Sequence, residues 1–279
     1  MDTTPTCREP LWIRISVVLF LILAAACAYM LFSGGDSDSL SYEGDSCNVV
    51  ALDVHGCIAT YAPDPSLMYD PGGCDDYASA EEIAQYLRDA EIDESVKAVL
   101  LDIDSAGGIP QAALEIEEAV QDTGKPTVAL IRAYGNSAAY WIASAADTII
   151  ASVESDIGSI GVTSSYVDNA KQNEQLGLTY HSLSTGKFKD IGDPDKPLTE
   201  EEKAQITKSL ALTFENFVNV VAKNRSIPVE KVRELADGES VPAGSLLRFR
   251  VAAGQPIHHL VPATVRAVIR AHTVSRSSW

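Results

Sequence analysis

A chain of 279 residues, 46% of them apolar, can bury the core of one large domain. Its net charge of −18 is unevenly spread: residues 33–240 carry 37 acidic and 14 basic side chains, and no acidic residue follows Glu239. An acidic body of this kind repels phosphates, which excludes nucleic acid as a partner, and its self-repulsion suits a medium whose salt screens it.

The first signal in chain order is Ile15 to Phe32, "ISVVLFLILAAACAYMLF", a run without charge. Extended back to Leu11, with Arg14 snorkelling, it reaches the roughly 20 residues that cross a bilayer core. A cleaved signal peptide would end near Ala24-Ala25-Ala26. The apolar run instead continues through Tyr29 to Phe32, so residues 11–32 read as an uncleaved transmembrane anchor. Arg8 and Arg14 flank the near side of the span, and Asp36, Asp38, Glu43 and Asp45 follow it. The positive-inside rule then places residues 1–10 in the cytoplasm and the body outside the membrane. Residues 33–46, "SGGDSDSLSYEGDS", lack periodicity and read as a linker. Cys47, Cys57 and Cys74 fall on the oxidising side, where three cysteines allow at most one internal bridge; Cys57–Cys74 is the expected pair. No CxxC or histidine spacing suggests a metal.

The body, residues 47–244, alternates strand and helix. "NVVALDV" (Asn48 to Val54) is a buried strand, and the capping box Ser79 to Glu82 opens an amphipathic helix. "VKAVLLDI" (Val96 to Ile103) is a second buried strand, ending in the glycine-rich corner "DSAGG" before a helix from Pro110 to about Asp122. "TVALI" (Thr127 to Ile131) is a third strand, leading into a third helix that begins at Ser137. "TIIAS" and "GSIGV" are short strands, a long helix runs from the capping box Thr199 to Glu202 to about Asn224, and a last helix follows Pro228. This order predicts an α/β fold with a mostly parallel sheet covered by helices.

Two strand ends could carry chemistry. In "DSAGG" (Asp104 to Gly108), Gly107 and Gly108 bare the backbone, and N–H groups converging on one point stabilise an oxyanion; a tight turn requiring positive φ would use the same residues. Ser137, in "AYGNSAAYWIASAAD", stands at the corresponding end of the next strand, where open α/β sheets gather their sites. It reads equally as a helix N-cap or as a nucleophile. A nucleophilic serine needs a base, and none of the five histidines (His55, His181, His258, His259, His272) stands in a triad context. A desolvated lysine can serve instead, and "STGKFKDIGDPDKPLT" offers Lys187 and Lys189, although each would ordinarily be a solvated loop charge.

In combination, Asp-Ser-x-Gly-Gly, a serine opening a small-residue helix, "GSIGV" and Gly-x-x-Lys-Asp-x-Gly-x-Pro resemble the SppA-type signal peptide peptidase family from about Asn48 to Gly238. That resemblance implies a membrane-anchored serine protease with the ClpP/crotonase-like fold, a repeated β-β-α spiral around a mostly parallel sheet. It implies Ser137 as nucleophile, Lys189 as general base, an oxyanion hole at Gly107 and Gly108, and Gly158 to Gly161 beside the site. It implies peptide substrates released from the membrane, such as cleaved signal peptides, and a homo-oligomeric ring in which neighbouring protomers complete each dyad. No cofactor or metal is required.

The chain departs from the family pattern in three places. Ala138-Ala139 replace the usual Gly-Gly after the serine, and Ala106 replaces a usual proline. Residues 245–279 form an atypical basic tail, as a change of reading frame near Gly244 or a divergent end would produce. A second reading is therefore a catalytically silent scaffold ring of the same fold. Crotonase-type acyl-CoA chemistry is disfavoured by extracytoplasmic placement.

Overall fold

The structure, a computed structural model, describes residues 48–62, 74, 76–245 and 251–253. The chain divides into two units at Cys47/Asn48, and all of the described residues belong to the second. The expected anchor and linker (11–46) lie outside the described residues, as does most of the expected tail. Among the described residues no helix is long and apolar enough to cross a membrane.

The elements follow as β1 (Val49–Ala59), β2 (Tyr77–Ser79), α1 (Ala80–Ile92), β3 (Ala98–Gly108), α2 (Pro110–Asp122), β4 (Thr127–Asn136), α3 (Ala138–Ala145) and β5 (Thr148–Ala151). Then come β6 (Asp156–Gly158), α4 (Ala170–Gln175), α5 (Glu200–Arg225), α6 (Val229–Leu235), β7 (Ser240–Pro242), a 3-10 turn (Ala243–Ser245) and β8 (Val251–Ala253). Six strands run parallel in the order β2-β1-β3-β4-β5-β8; β6 adds parallel to β4, and β7 pairs antiparallel with β6. The mostly parallel α/β sheet is the one the strand–helix alternation predicts.

Period-two alternation buries both faces of the sheet. Leu52, Val54, Leu101, Ile103, Ala129 and Ile131 point into the larger core, which α1, α2, α3 and α5 close with Leu87, Ile116, Ile142 and Val221. Val49, Ala98, Leu100, Val128 and Ile150 form a smaller cluster on the reverse face. The long strands bend. The β1–β3 register shifts between His55 and Cys57, and the β3–β4 register between Ile103 and Ser105. Beyond the bends, β1 pairs with β2, and β4 exchanges β5 for β6. Gly56 sits at the bend of β1 with φ +70°, and a Cβ there would stand 2.2 Å from the Asp76 carbonyl oxygen, so only glycine fits.

Capping explains the helix starts. At α5 the box is complete: the Thr199 hydroxyl accepts the Glu202 N–H at 3.2 Å and the Glu202 carboxylate accepts the Thr199 N–H at 2.8 Å. At α1 only half of the expected box forms, with Ser79 Oγ accepting the Glu82 N–H at 3.4 Å. Pro110 opens α2 as its position predicts. Two expected boundaries move. "DSAGG" is not a turn, because β3 continues through it to Gly108. The strand expected in "GSIGV" lies earlier, at Asp156–Gly158, since Gly158 (φ +97°) and Ser159 (φ +49°) leave the extended region there. Cys57 and Cys74 are disulfide-bonded, with Cα atoms 6.0 Å apart, inside the ordinary range for a bridge.

Candidate active site

Ser137 lies between the end of β4 and the first residue of α3, in a backbone conformation (φ 52°, ψ −122°) that L-residues rarely adopt. Both of its peptide groups are held: its N–H donates to the Gly158 carbonyl at 2.8 Å, and its carbonyl accepts the Trp141 N–H at 3.0 Å. Strain of about 1–3 kcal/mol persists at such positions only where the surroundings over-determine them. The hydroxyl makes no capping hydrogen bond to the helix it precedes. Of the two readings of Ser137, the N-cap is therefore not the one adopted.

The helix behind it is anchored deeply. Ala138 through Ser144 are each at most 3% exposed, and the Trp141 ring stacks on Phe217 of α5 with centroids 4.7 Å apart. Burial pushes the Tyr140 hydroxyl up to about 12, so it stays protonated at any physiological pH. An α-helix so rigidly held points its first N–H groups, which lack intrahelical acceptors, at the space in front of Ser137.

Gly107 is pressed against the serine. A Cβ on Gly107, whose φ is +122°, would stand 2.8 Å from Ser137 Cβ and 3.3 Å from the Ala138 nitrogen. A Cβ on Gly108 would stand 2.1 Å from the Ile58 carbonyl oxygen. Sequence reasoning pairs these two glycines as equivalent donors, yet the structure distinguishes them. The Gly107 N–H is directed to Ser105 Oγ at 3.1 Å. Ile109 donates to the Ile58 carbonyl at 2.8 Å, and strand alternation then turns the Gly108 N–H away from β1.

Gly108, Ser137, Ala138 and Trp141 line one cleft of about 640 Å³ with Ser159, Gly161, Val162, Phe214, Phe217 and Gly238. The "GSIG" segment is thus beside Ser137, fixed there by the Ser159 N–H to the Glu239 carbonyl (3.0 Å) and by Ser159 Oγ to the Gly238 carbonyl (2.9 Å). The walls combine the apolar side chains of Trp141, Val162, Phe214 and Phe217 with the polar Ser159, Thr163 and Asp237, so the cleft can take both a side chain and a peptide backbone. The aromatic wall from α5 went unnoticed in sequence; Phe214 and Phe217, three apart on one helix face, were its only trace.

Lys189 is not in this cleft. It is exposed, on a turn of the arm between β6 and α5, and among the described residues it has no carboxylate partner. Its neighbours are tied down. Lys187 pairs with Glu201 at 2.6 Å, and Asp190 accepts from the Ser182 hydroxyl. Lys196 bridges Asp190 (3.7 Å) and Glu202 on α5. The hydrogen bond from Lys196, then that from the Thr199 N–H, holds the Glu202 carboxyl below its ordinary range, and the Ser182 hydroxyl does the same for Asp190. The structure therefore brings Ser137, Gly107 and Gly108 together and places Lys189 apart from them.

Asp53, His55 and Asp102 form the one group of three potential metal ligands among the described residues, with ligand atoms within 4.8 Å of each other. Arg132 already engages both Asp102 oxygens, at 2.6 and 2.5 Å, which satisfies that buried carboxylate with a cation.

Residues 119–244 match Peptidase family S49. The chain is 36% identical over 155 residues to a chain named as a protease in Methanocaldococcus jannaschii, an alignment covering 55% of this chain and 50% of that one. It is 36% identical over 155 residues to one named as a signal peptide peptidase, SppA, in Enterococcus faecium, covering 54% and 45%. The matched region thus spans about half the length of these curated relatives. Among solved structures it is similar to a mutant of a membrane-bound stomatin-specific protease in complex with a substrate peptide, at 16% identity and a TM-score of 0.48, over 78% of this chain and 80% of that one.

Proposed function

We propose, from the match of residues 119–244 to peptidase family S49 and the likeness to a relative named as SppA, that the chain is a serine endopeptidase of that family using a Ser137–Lys189 dyad. The observation that carries the reading is Ser137 itself: an uncapped hydroxyl on a strained residue at a helix N-terminus, facing a cleft with an aromatic wall. Lys189, as general base, takes the proton from Ser137 Oγ as the oxygen attacks a peptide carbonyl. The carbonyl's π electrons move to its oxygen, and the N–H groups of Gly108 and Ala138 stabilise the resulting oxyanion. Collapse expels the amine, which carries away the proton from Lys189 and leaves an acyl-enzyme. Water then gives a proton to Lys189 as its oxygen bonds to the acyl carbon; the bond from that carbon to Ser137 Oγ breaks, the acid leaves, and Lys189 returns the proton to Ser137 Oγ.

The distance of Lys189 from the cleft supports a ring in which each lysine serves a neighbour's serine. Its exposed, unpaired position on an arm braced by Lys196 and Glu202 suits delivery to another protomer. The bent strands β3 and β4, each followed by a helix, and the β1-β2-α1 run before them suit the ClpP/crotonase-like β-β-α spiral. The Cys57–Cys74 bridge fits an oxidising compartment, in keeping with residues 11–32 as a transmembrane anchor and an extracytoplasmic body. Peptides released from the membrane, such as cleaved signal peptides, are the proposed substrates, since Trp141, Phe214 and Phe217 give the cleft an aromatic wall for an apolar side chain.

The test is complementation. Ser137→Ala and Lys189→Ala should each lose cleavage of an apolar peptide, and mixing the two should restore a fraction of it, because a neighbour then supplies the missing group. Retained activity in Ser137→Ala would overturn the nucleophile; retained activity in Lys189→Ala would overturn the base.

A further inference from the structure

At the bends of β1 and β3, Gly56, Ser105 and Ala106 fall outside the β1–β3 residue pairs, because the register shifts there. A bend of this kind interrupts the β1–β3 ladder at those residues, and buried polar groups that lose a β1–β3 partner must be satisfied elsewhere. One side chain does this. The Ser105 hydroxyl, 2% exposed, donates to the Gly56 carbonyl at 2.6 Å and accepts the Gly107 N–H at 3.1 Å.

The second bond fixes the rotation of Gly107. The hydroxyl thereby holds the Ala106–Gly107 peptide, from which the chain turns through Gly107, at φ +122°, into the Gly107–Gly108 peptide. Gly108, its N–H turned away from β1, is one of the residues lining the cleft that holds Ser137. On the other side, Gly107 Cα lies against Ser137, where no side chain would fit. A continuous relay therefore runs from the β1 bend through Ser105 and Gly107 to Gly108, all of it buried or backbone.

We infer that Ser105 is a positioning residue: by clamping the Gly107 N–H against the Gly56 carbonyl, it aims the Gly108 N–H at the oxyanion formed on Ser137. The inference rests on the peptidase reading above. Without the clamp, Gly107, having no Cβ, is free to rotate about φ, and the Gly108 donor loses its aim. An oxyanion donor acts only when its direction is set before the charge develops, and losing one lowers kcat by about 100- to 1,000-fold. Misaiming one is a partial loss, so the effect expected of Ser105→Ala is a fall of about 10- to 100-fold in kcat with KM within about twofold of the unchanged protein.

The experiment measures kcat and KM for an apolar peptide, affinity for a peptide boronate that forms a tetrahedral adduct on serine, and melting temperature. It uses the full chain and its Ser105→Ala, Ser105→Thr and Ser105→Cys variants. The inference predicts that Ser105→Ala lowers kcat and boronate affinity together while leaving KM and folding in place, and that Ser105→Thr, which keeps the hydroxyl, recovers most of both. Ser105→Cys conserves volume but bonds weakly, so it should follow the alanine variant even where alanine is poorly folded. Unchanged kcat and boronate affinity in the alanine and cysteine variants overturn the inference, as does a loss that follows melting temperature and is not recovered by threonine. Ser137→Ala is run alongside: if it retains cleavage, the peptidase assignment itself has failed, an outcome distinct from failure at Ser105.

Discussion

Gly107 and Ser137 are packed so closely that a methyl group on the glycine would stand 2.8 Å from the serine's Cβ. The two positions come from successive strand ends, β3 and β4, and their contact joins the glycine segment to the serine in one cleft. Gly107→Ala should therefore displace Ser137 and also strain a φ of +122°. The expected outcome is loss of peptide cleavage with destabilisation of about 1–3 kcal/mol, read by chemical denaturation. Retention of full activity would show that Ser137 tolerates the displacement and that its position is not critical.

The strain at Ser137 separates its structural role from its chemical one. Alanine removes the hydroxyl and keeps the strain, whereas glycine removes both. Ser137→Gly should be at least as stable as Ser137→Ala, by up to about 1 kcal/mol in favour of glycine, although neither cleaves peptide. A glycine variant that melts well below the alanine variant would mean the φ of 52° is no burden on the fold.

Lys187 and Lys189 are two residues apart but differently placed. Lys187 pairs with Glu201, both of them more than half exposed, and such surface pairs contribute about 0–1 kcal/mol. Lys187→Ala should retain most of the peptidase activity, in contrast to Lys189→Ala. A steady-state assay of both variants checks this, and equal losses would count against Lys189 as the base.

The arm that carries Lys189 should loosen in acid. Asp190 lies below its ordinary 3.8, chiefly through the Ser182 hydroxyl, and Glu202 lies below its ordinary 4.5, chiefly through Lys196. Carboxylates depressed in the folded state stabilise it above their ordinary values and lose that contribution as pH falls through the lowered ones. The brace is thus complete above about pH 4.5 and is lost progressively below it. Hydrogen exchange of arm amides against pH should show this acid opening, and Glu202→Gln should flatten its profile. An arm whose protection does not change between pH 6 and pH 3 would contradict the ionic brace.

How much of this was legible beforehand depended on whether a signal was local. Pro110, the Thr199–Glu202 box and the β-branched runs fixed helix starts and strands, because caps and alternation act within a few residues. The continuation of β3 through "DSAGG" was not visible, since glycines there serve close approach to Ile58 and Ser137, contacts distant in sequence. Ser137 drew notice as a lone hydroxyl opening a small-residue helix, but its positive φ depends on Gly158, brought in by β6. Ser105 stands in the Asp-Ser-x-Gly-Gly motif, but its role is hidden for the same reason: its partner, Gly56, is 49 residues away. The separate placement of Lys189 is a fact of three dimensions that spacing alone does not encode.

The central claim is that Ser137 is the nucleophile. The most direct measurement is labelling of the full-length chain by a serine-reactive fluorophosphonate, with the adduct mapped by peptide mass spectrometry. A single adduct on the peptide containing Ser137, absent in Ser137→Ala and strongly slowed in Lys189→Ala, is the predicted result. No labelling of the folded chain, or an adduct that persists in Ser137→Ala, would contradict it.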